Sequence, residues 1–310
     1  MTVLGVILTA LAATAMAALY LSRPHARPYP SYGYLGLAVI AVAEFLLFRG
    51  GSIVGAFMTP IAWTGYIAAV DAAVYSLRGE SLLKRHAVAF LAVVAVSAPF
   101  WLIFEAYNLR LENWAYINLP AGATARYFGY AWAFSTIWPG MLETACLFTA
   151  AGLWQREYPP MRLSENSRRI SVLVGAALLV VPLVVPRTTA AYLFGLVWCG
   201  LVLLLDPVNA RLGAESFIGD FERGRRDRLY ALLLSGLVCG FLWEFWNYWA
   251  VSKWVYIFPM FQNLKIFEMP VPGFLGFPPF ALEYFCMYGF LAALVRRIGG
   301  IQRLNYVPDF

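Results

Sequence analysis

Apolar runs alternate with short polar connections along the whole chain. Each of these runs approaches the roughly 20 residues that a helix needs to cross about 30 Å of hydrocarbon. They lie near residues 2–21, 33–49, 53–76, 87–108, 129–153, 170–186, 189–206, 229–250 and 274–295. We therefore predict an all-α, polytopic membrane protein with about nine transmembrane helices. The first run has the length of a signal peptide but no basic segment before it, so we interpret it as a leading helix.

The composition supports the membrane class. Only 13% of the 310 residues are charged and 61% are hydrophobic, whereas a soluble domain carries about 25% charged residues. Aromatic residues make up 17% of the chain, which indicates interfacial belts and a further region lined with rings. The net charge of +6 does not indicate nucleic-acid binding, because the Lys and Arg residues lie between the apolar runs.

The distribution of basic residues predicts an orientation. Of the 23 Lys and Arg residues, 17 follow odd-numbered runs and 6 follow even-numbered runs. Connections rich in Lys and Arg usually remain in the cytoplasm. We therefore predict a protein of the cytoplasmic (inner) membrane with its N-terminus outside and its C-terminus in the cytoplasm.

Polar and aromatic residues recur in the same order in two halves of the chain, which indicates tandem repeats. The matched pairs are Trp63 and Trp198, Asp71 and Asp206, Ser81 and Ser216, Glu105 and Glu244, Asn108 and Asn247, Trp114 and Trp254, Tyr116 and Tyr256, Pro139 and Pro279, and Glu143 and Glu283. We predict two parallel repeats of three to four helices each, related by an axis along the membrane normal. The predicted segments are a leading helix (1–32), repeat 1 (33–158), a cytoplasmic linker (159–169), repeat 2 (170–298) and a cytoplasmic tail (299–310).

Four glutamates inside apolar runs are the candidate catalytic residues: Glu105, Glu143, Glu244 and Glu283. Acidic side chains are expensive in a membrane, so a duplicated set favours a function. Related by the repeat, the four carboxyls could converge between the two halves and act as acids and bases. The alternative is that they only cross-link helices.

Amide and aromatic residues accompany these glutamates. Asn108 and Asn247 each lie one helical turn after a glutamate, so we expect the amide to donate to the carboxylate. The rings could shield a carbocation through cation–π attraction, although interfacial belts are the usual role of Trp and Tyr. The candidate ring residues are Trp114, Tyr116, Trp243, Trp246, Trp254 and Tyr256.

Other polar residues have simpler interpretations. We expect Asp71 and Asp206, at helix ends, to form caps or ion pairs, and Glu44 to bond Arg49 or a neighbouring helix. The four cysteines have no CxxC spacing and there are only two histidines, so we predict no metal. Nucleotide-binding, zinc-protease and nucleophile-elbow motifs do not occur, so we predict no cofactor.

The duplicated motifs resemble those of the lycopene cyclase domain family of small integral-membrane proteins. Trp243-Glu244, Trp254-x-Tyr256 and Pro279…Glu283 follow the family's order, as do Phe104-Glu105, Trp114-x-Tyr116 and Pro139…Glu143. The chain would be a divergent member, with glutamate where the family has aspartate. The resemblance implies redox-neutral cyclisation of a linear isoprenoid or carotenoid, with the four glutamates as acids and bases.

Two other functions fit the same residues. Repeats, acids within the membrane and Pro-Gly interruptions also suit a proton-coupled secondary transporter. A non-catalytic lipid-binding membrane protein would use the acids only to fasten helices. The expected partners are membrane lipid and a hydrophobic isoprenoid or other lipid substrate, with no nucleic acid, and the oligomeric state is left open.

Overall fold

The computed structural model describes residues 1–299, so the predicted tail of 299–310 lies outside the described residues apart from its first position. Helices dominate the fold. They are α1 (Thr2–Leu21), α2 (Ser31–Phe48), α3 (Ser52–Ala56), α4 (Met58–Arg78), α5 (Leu82–Arg85), α6 (Ala87–Leu111), α7 (Ala123–Ser135), α8 (Ile137–Ala150), α9 (Glu165–Val184), α10 (Arg187–Ala190), α11 (Phe194–Arg211), α12 (Phe217–Glu222), α13 (Asp227–Trp249) and α14 (Phe277–Gly299). A 3-10 helix, Val271–Gly276, precedes α14.

The remaining elements are four short strands. They are β1 (Trp114–Ile117), β2 (Lys253–Tyr256), β3 (Lys265–Ile266) and β4 (Met269–Pro270). Strand β1 pairs with β2, and β3 pairs with β4, both in antiparallel fashion.

The chain is a polytopic helical membrane protein, as predicted. Within residues 1–299, seven helices are long and apolar enough to cross a membrane: α1, α2, α6, α9, α11, α13 and the 3-10 helix continued by α14. The other two predicted spans do not meet both requirements. Helix α4 is long enough but less apolar, and most of its side chains are buried against protein. The fifth span is divided at Thr136 into α7 and α8.

The division of the fifth span has a physical cause in Pro139. Proline lacks an N–H, and its ring clashes with the carbonyl four residues earlier, which here belongs to Ser135 at the end of α7. Pro139 is the third residue of α8, where no intrahelical N–H bond is required. Pro279 occupies the same place in α14, after the 3-10 helix.

Each repeat opens with two helices that cross closely, α2 with α4 and α9 with α11. Glycines allow the contact. A Cβ atom on Gly36 would lie 2.4 Å from the carbonyl oxygen of Gly65, and one on Gly175 would lie 2.8 Å from that of Gly200. The same pair of glycines therefore sets the helix spacing in both repeats.

A repeated cap follows this helix pair. Asp71 accepts hydrogen bonds from the Ser81 hydroxyl at 2.8 Å and the Leu83 N–H at 2.9 Å, before α5. Asp206 accepts from the N–H groups of Phe217 and Ile218, at 2.6 and 3.0 Å, at the start of α12. The capping interpretation of both aspartates is confirmed.

The two repeats meet in a common core and in one β ribbon. Helix α13 of the second repeat packs on α8 and α4 of the first, with Trp63, Trp138 and Tyr284 almost fully buried. Strand β1 pairs with β2 so that Ala115 faces Val255. The α1 helix lies outside both repeats and packs mainly on α13.

Candidate functional site

Glu244 of α13 lies under the β ribbon and is fully buried. Its Oε1 atom accepts hydrogen bonds from the Tyr256 hydroxyl at 2.8 Å and from the Trp254 indole N–H at 3.3 Å. Its Oε2 atom has no hydrogen-bond partner among the described residues. One carboxyl oxygen is thus held by the ribbon; the other makes no direct hydrogen bond, although the Met269 backbone N–H also acts on this carboxyl.

Glu105 of α6 makes the equivalent contacts in the first repeat. Its Oε1 atom accepts from the Tyr116 hydroxyl at 2.5 Å and from the Trp114 indole N–H at 3.2 Å. A third donor, the Trp101 indole N–H at 2.7 Å, has no counterpart around Glu244. The two clusters therefore share a plan but differ in the number of donors.

The two Trp-x-Tyr segments share the same spacing, and strand geometry explains it. Successive side chains of a strand point to opposite faces, so residues two apart share one face. Trp254 and Tyr256 of β2, like Trp114 and Tyr116 of β1, can therefore approach the same carboxylate. This is the physical reason for one intervening residue.

The expected role of Asn108 and Asn247 is wrong. The Asn247 amide donates to the Trp254 carbonyl at 2.9 Å and accepts from the Trp254 N–H at 2.9 Å. Asn108 donates to the Trp114 carbonyl at 2.9 Å and accepts from its N–H at 3.1 Å. Neither amide bonds a glutamate, because the strand that follows each helix brings a backbone donor and acceptor within reach.

The tyrosine hydroxyls remain protonated at neutral pH. Burial raises the pKa of Tyr256 well above its usual range, and the Glu244 carboxyl raises that pKa further. Burial and the Glu105 carboxyl have the same effect on the pKa of Tyr116. Both phenols can therefore act as steady hydrogen-bond donors to the glutamates.

A cavity of about 420 Å³ lies between the two clusters. Most of its wall is apolar and aromatic, and equivalent residues of both repeats contribute. From the predicted set it contains Trp114, Tyr116, Trp243, Trp254 and Tyr256. The cavity therefore spans the boundary between the repeats.

The walls at the two sides of the cavity also match. Phe57 and Pro60, beside the start of α4, line the cavity, and so do Tyr192 and Gly195, beside the start of α11. These positions correspond in the repeat. The cavity thus has the approximate two-fold symmetry of the protein.

The four glutamates do not converge at this cavity, which corrects the expectation from symmetry. Glu105 and Glu244 do not line the cavity themselves, but they bond the tyrosine and tryptophan side chains in its wall. Glu143 and Glu283 are fully buried further along α8 and α14 and do not line it. Glu143 lies close enough to Asp71 for the two carboxyls to interact.

Trp246 was predicted to line the site and does not. It lies on another side of α13, where its indole N–H donates to the Glu44 carboxylate at 2.9 Å. Residues three apart on a helix differ in direction by about 60° around its axis. Trp243 therefore reaches the central cavity, whereas Trp246 reaches α2. Glu44 therefore bonds a neighbouring helix, one of the two interpretations of that residue.

Several cavity residues were missed by sequence reasoning. Among them are Phe280 of α14 and Tyr130 of α7, with Phe277 and Ile137 at the helix starts. They lie in apolar runs that are rich in aromatic residues, so their residue type did not distinguish them as cavity residues. Their spacing from Pro139 and Pro279 could have indicated that both helix starts face one site.

The site shows no metal-binding arrangement. Across residues 1–299, no group of three or more His, Cys, Asp or Glu side chains is placed to hold a metal ion. The chemistry available is that of carboxyls, phenols and aromatic rings. Together, fold and site define a helical membrane protein with an internal repeat and an aromatic cavity between its halves. Comparisons with family models, curated proteins and solved structures found no match for the chain.

Proposed function

We propose that the protein is an integral-membrane enzyme that cyclises a linear isoprenoid by proton transfer, without a redox step. The observation that carries the proposal is the pair of Glu–Tyr–Trp clusters on either side of one aromatic cavity. The motif resemblance to lycopene cyclases points to the same chemistry. A carotenoid is the first substrate to test.

The reaction needs one acid and one base. A neutral carboxyl gives its proton to a terminal alkene, an internal double bond attacks the resulting carbocation, and a carboxylate removes a proton. One C–C bond forms, one proton enters and one leaves, so no electrons are exchanged with a cofactor. Rings around the path stabilise the cation through their π faces.

The different surroundings of the two glutamates suggest their roles. Glu244 is fully buried, and its Oε2 atom makes no direct hydrogen bond among the described residues, which suits the hydroxyl of a neutral acid. Glu105 accepts three hydrogen bonds on Oε1, all from protein donors, which suits the role of the proton acceptor. Pairs of carboxyls in unlike environments commonly divide acid and base work in this way.

The cavity wall favours an apolar ligand over a polar solute. Its rings and aliphatic side chains offer few polar groups, of which Arg126 and Lys253 carry charge. Beyond the cavity the core is closely packed around Trp138 and Leu142. These observations support a lipid-like substrate more than a proton-coupled transporter of a polar molecule.

The test is expression in a host that accumulates lycopene, followed by chromatography of the pigments. We expect cyclised products with the natural protein. The Glu244→Gln variant, which keeps the size but cannot give up a carboxyl proton, should lower their yield by about 100-fold or more. Glu112→Gln serves as the control, because Glu112 is exposed and pairs with Arg187 away from the cavity.

Unchanged lycopene, with membrane insertion verified, would contradict a carotenoid substrate. Cyclisation by Glu244→Gln at the natural rate would contradict the assignment of the acid and leave the substrate class intact. The same assay with other linear isoprenoids then separates two outcomes. A cyclised product would identify a different substrate, and no product with any of them would indicate a protein that only binds lipid.

We also propose the orientation given by the basic residues. The β ribbon and the cavity would lie towards the outside of a cytoplasmic membrane, with the α1–α2 and α4–α5 connections in the cytoplasm. Labelling of single cysteines introduced at exposed Arg162 and Ile257 with an impermeant thiol reagent tests this. Only the cysteine at position 257 should react in intact cells.

A further inference from the structure

A second, larger apolar space lies between α1 and the α2–α4 pair. Its volume is about 720 Å³, and residues of α1, α2, α4 and α13 line it. We name it the α1 crevice. Several of its lining side chains are exposed to the surroundings, among them Leu21 (71%), Tyr34 (62%) and Leu37 (50%). The crevice is therefore open sideways, towards the hydrocarbon of a bilayer.

The crevice is a built feature, because α1 is fastened at both ends. Near its start, Gly5 packs so closely on Phe267 that an added Cβ would lie 2.6 Å from the ring. Near its end, the Tyr20 hydroxyl donates to Ser76 of α4 at 3.0 Å. Further on, the Ser76 hydroxyl donates to the Arg27 carbonyl at 2.7 Å. Between these ends, Met16 of α1 touches α4, where the Tyr66 hydroxyl lies 3.8 Å from its sulfur.

The shape of the crevice suits one extended hydrocarbon chain. Along α1 it runs from Val6 to Leu21, which is about 22 Å at 1.5 Å per residue. Apolar cavities of about 150 Å³ already exclude water and bind benzene, so a crevice of this size calls for an apolar occupant. Glu44, the carboxylate in its wall, is already bonded by Trp246.

The end of the crevice at the α1–α2 connection is basic and aromatic. Arg23, His25 and Arg27 are exposed there. The Tyr20 ring stacks on His25 at 4.5 Å and meets Tyr29 edge-on at 5.8 Å. Aromatic rings at headgroup level and basic residues beside a cleft between membrane helices are typical of sites for anionic headgroups.

We propose that the α1 crevice binds an anionic phospholipid. One acyl chain occupies the space between α1 and α4, and the phosphate lies against Arg23, His25 and Arg27. The lipid completes the packing of the leading helix, which otherwise contacts mainly α13. This site is separate from the central cavity, and the proposal does not depend on the proposed enzyme activity.

The test is native mass spectrometry of the full-length protein after exchange with phosphatidylglycerol or with phosphatidylcholine of the same acyl chains. We expect one retained lipid and a preference for phosphatidylglycerol. Each basic residue near anionic lipid contributes roughly 1 kcal/mol, which corresponds to about fivefold in binding. The preference of the Arg23→Gln/Arg27→Gln variant for phosphatidylglycerol should therefore fall by about fivefold for each arginine removed. Arg162→Gln, at an exposed arginine of another connection, should keep the preference.

A second pair of variants tests the position of the acyl chain. Ala13 lines the crevice, whereas Ala15 is exposed on α1 and does not. Ala13→Phe should displace the retained lipid of either headgroup, and Ala15→Phe should keep it. The proposal is overturned if the arginine variant keeps the full preference, or if the two alanine variants retain equal amounts of lipid.

Discussion

At the scale of single residues, the two glutamate clusters differ through one substitution between the repeats. Trp101 donates to Glu105 from one helical turn earlier. The residue at the corresponding place before Glu244 is Gly240, where an added Cβ would lie 2.3 Å from the Phe277 ring. Close packing of α13 on α14 thus removes the third donor and makes the two halves chemically unequal.

The tyrosine of the buried cluster should contribute measurably to stability. Tyr256→Phe removes the closer of the two donors to Glu244 and leaves a buried carboxyl less satisfied. We expect the free energy of unfolding to fall by about 1–3 kcal/mol, measured by thermal unfolding in detergent. Tyr127→Phe is the control, since Tyr127 is 65% exposed and should change the value by less than about 0.5 kcal/mol.

The same variant should change the response to alkaline pH. Because folding raises the pKa of Tyr256, its contribution is fully present below about pH 10, the unfolded value. It is lost as the pH rises through the folded-state pKa. The alkaline decline in stability should therefore be shallower in Tyr256→Phe, and an identical decline in the two proteins would contradict the assignment.

At the scale of elements, each helix that carries a cluster also fixes its own strand. Asn247 of α13 holds both backbone polar groups of Trp254, and Asn108 of α6 does the same for Trp114. A four-residue strand cannot be held by one ribbon partner alone with much stability. The asparagines therefore place the Trp and Tyr donors beside the glutamates without touching the carboxyls.

Loss of an asparagine should loosen the strand rather than the helix. In Asn247→Ala the Trp254 N–H and carbonyl lose their partners, which should cost about 1–3 kcal/mol. Hydrogen exchange should show faster exchange of the Trp254 amide and unchanged protection in the middle of α13. Asn166→Ala, at an exposed position of α9, should leave the exchange of β2 unaltered.

At the scale of the whole molecule, the register of the ribbon carries the symmetry. Trp114 pairs with Tyr256 and Tyr116 pairs with Trp254, on either side of the central pair Ala115 and Val255. Each pairing between the repeats therefore recurs with the roles of the two repeats swapped, as in the isologous interface of a two-fold dimer. The ribbon closes the cavity at the point where the repeats meet.

A disulfide can test this register. Cysteines at positions 115 and 255 should bridge, because directly opposed residues of antiparallel strands have Cα atoms roughly 4.5–5.5 Å apart. After cleavage introduced in the 159–169 linker, the two halves should migrate together on a non-reducing gel. Cysteines at 115 and 253 are not opposed and should leave the halves separate, and equal bridging by both pairs would contradict the register.

The sequence by itself determined the membrane class, the helical fold and the duplication. These depend on the length of apolar runs and on the order of polar residues, both of which are local properties of the chain. It also selected Glu105 and Glu244 with their Trp-x-Tyr segments as candidates, because they recur in the same order; the strands that place both rings beside each carboxylate came only with the structure. Seven of its nine predicted spans are single helices long and apolar enough to cross a membrane; the fifth is divided before Pro139, and α4 is less apolar.

Only the tertiary structure decided which partner each side chain meets. Helix periodicity placed Asn247 on the face of Glu244, yet the arriving strand β2 takes both of its hydrogen-bonding groups. Trp243 and Trp246 were both candidates for the site, yet Trp243 lines the central cavity and Trp246 lines the space beside α1 and α2. Periodicity fixes the direction of a side chain from its own helix. What occupies that direction depends on neighbouring elements distant in the chain.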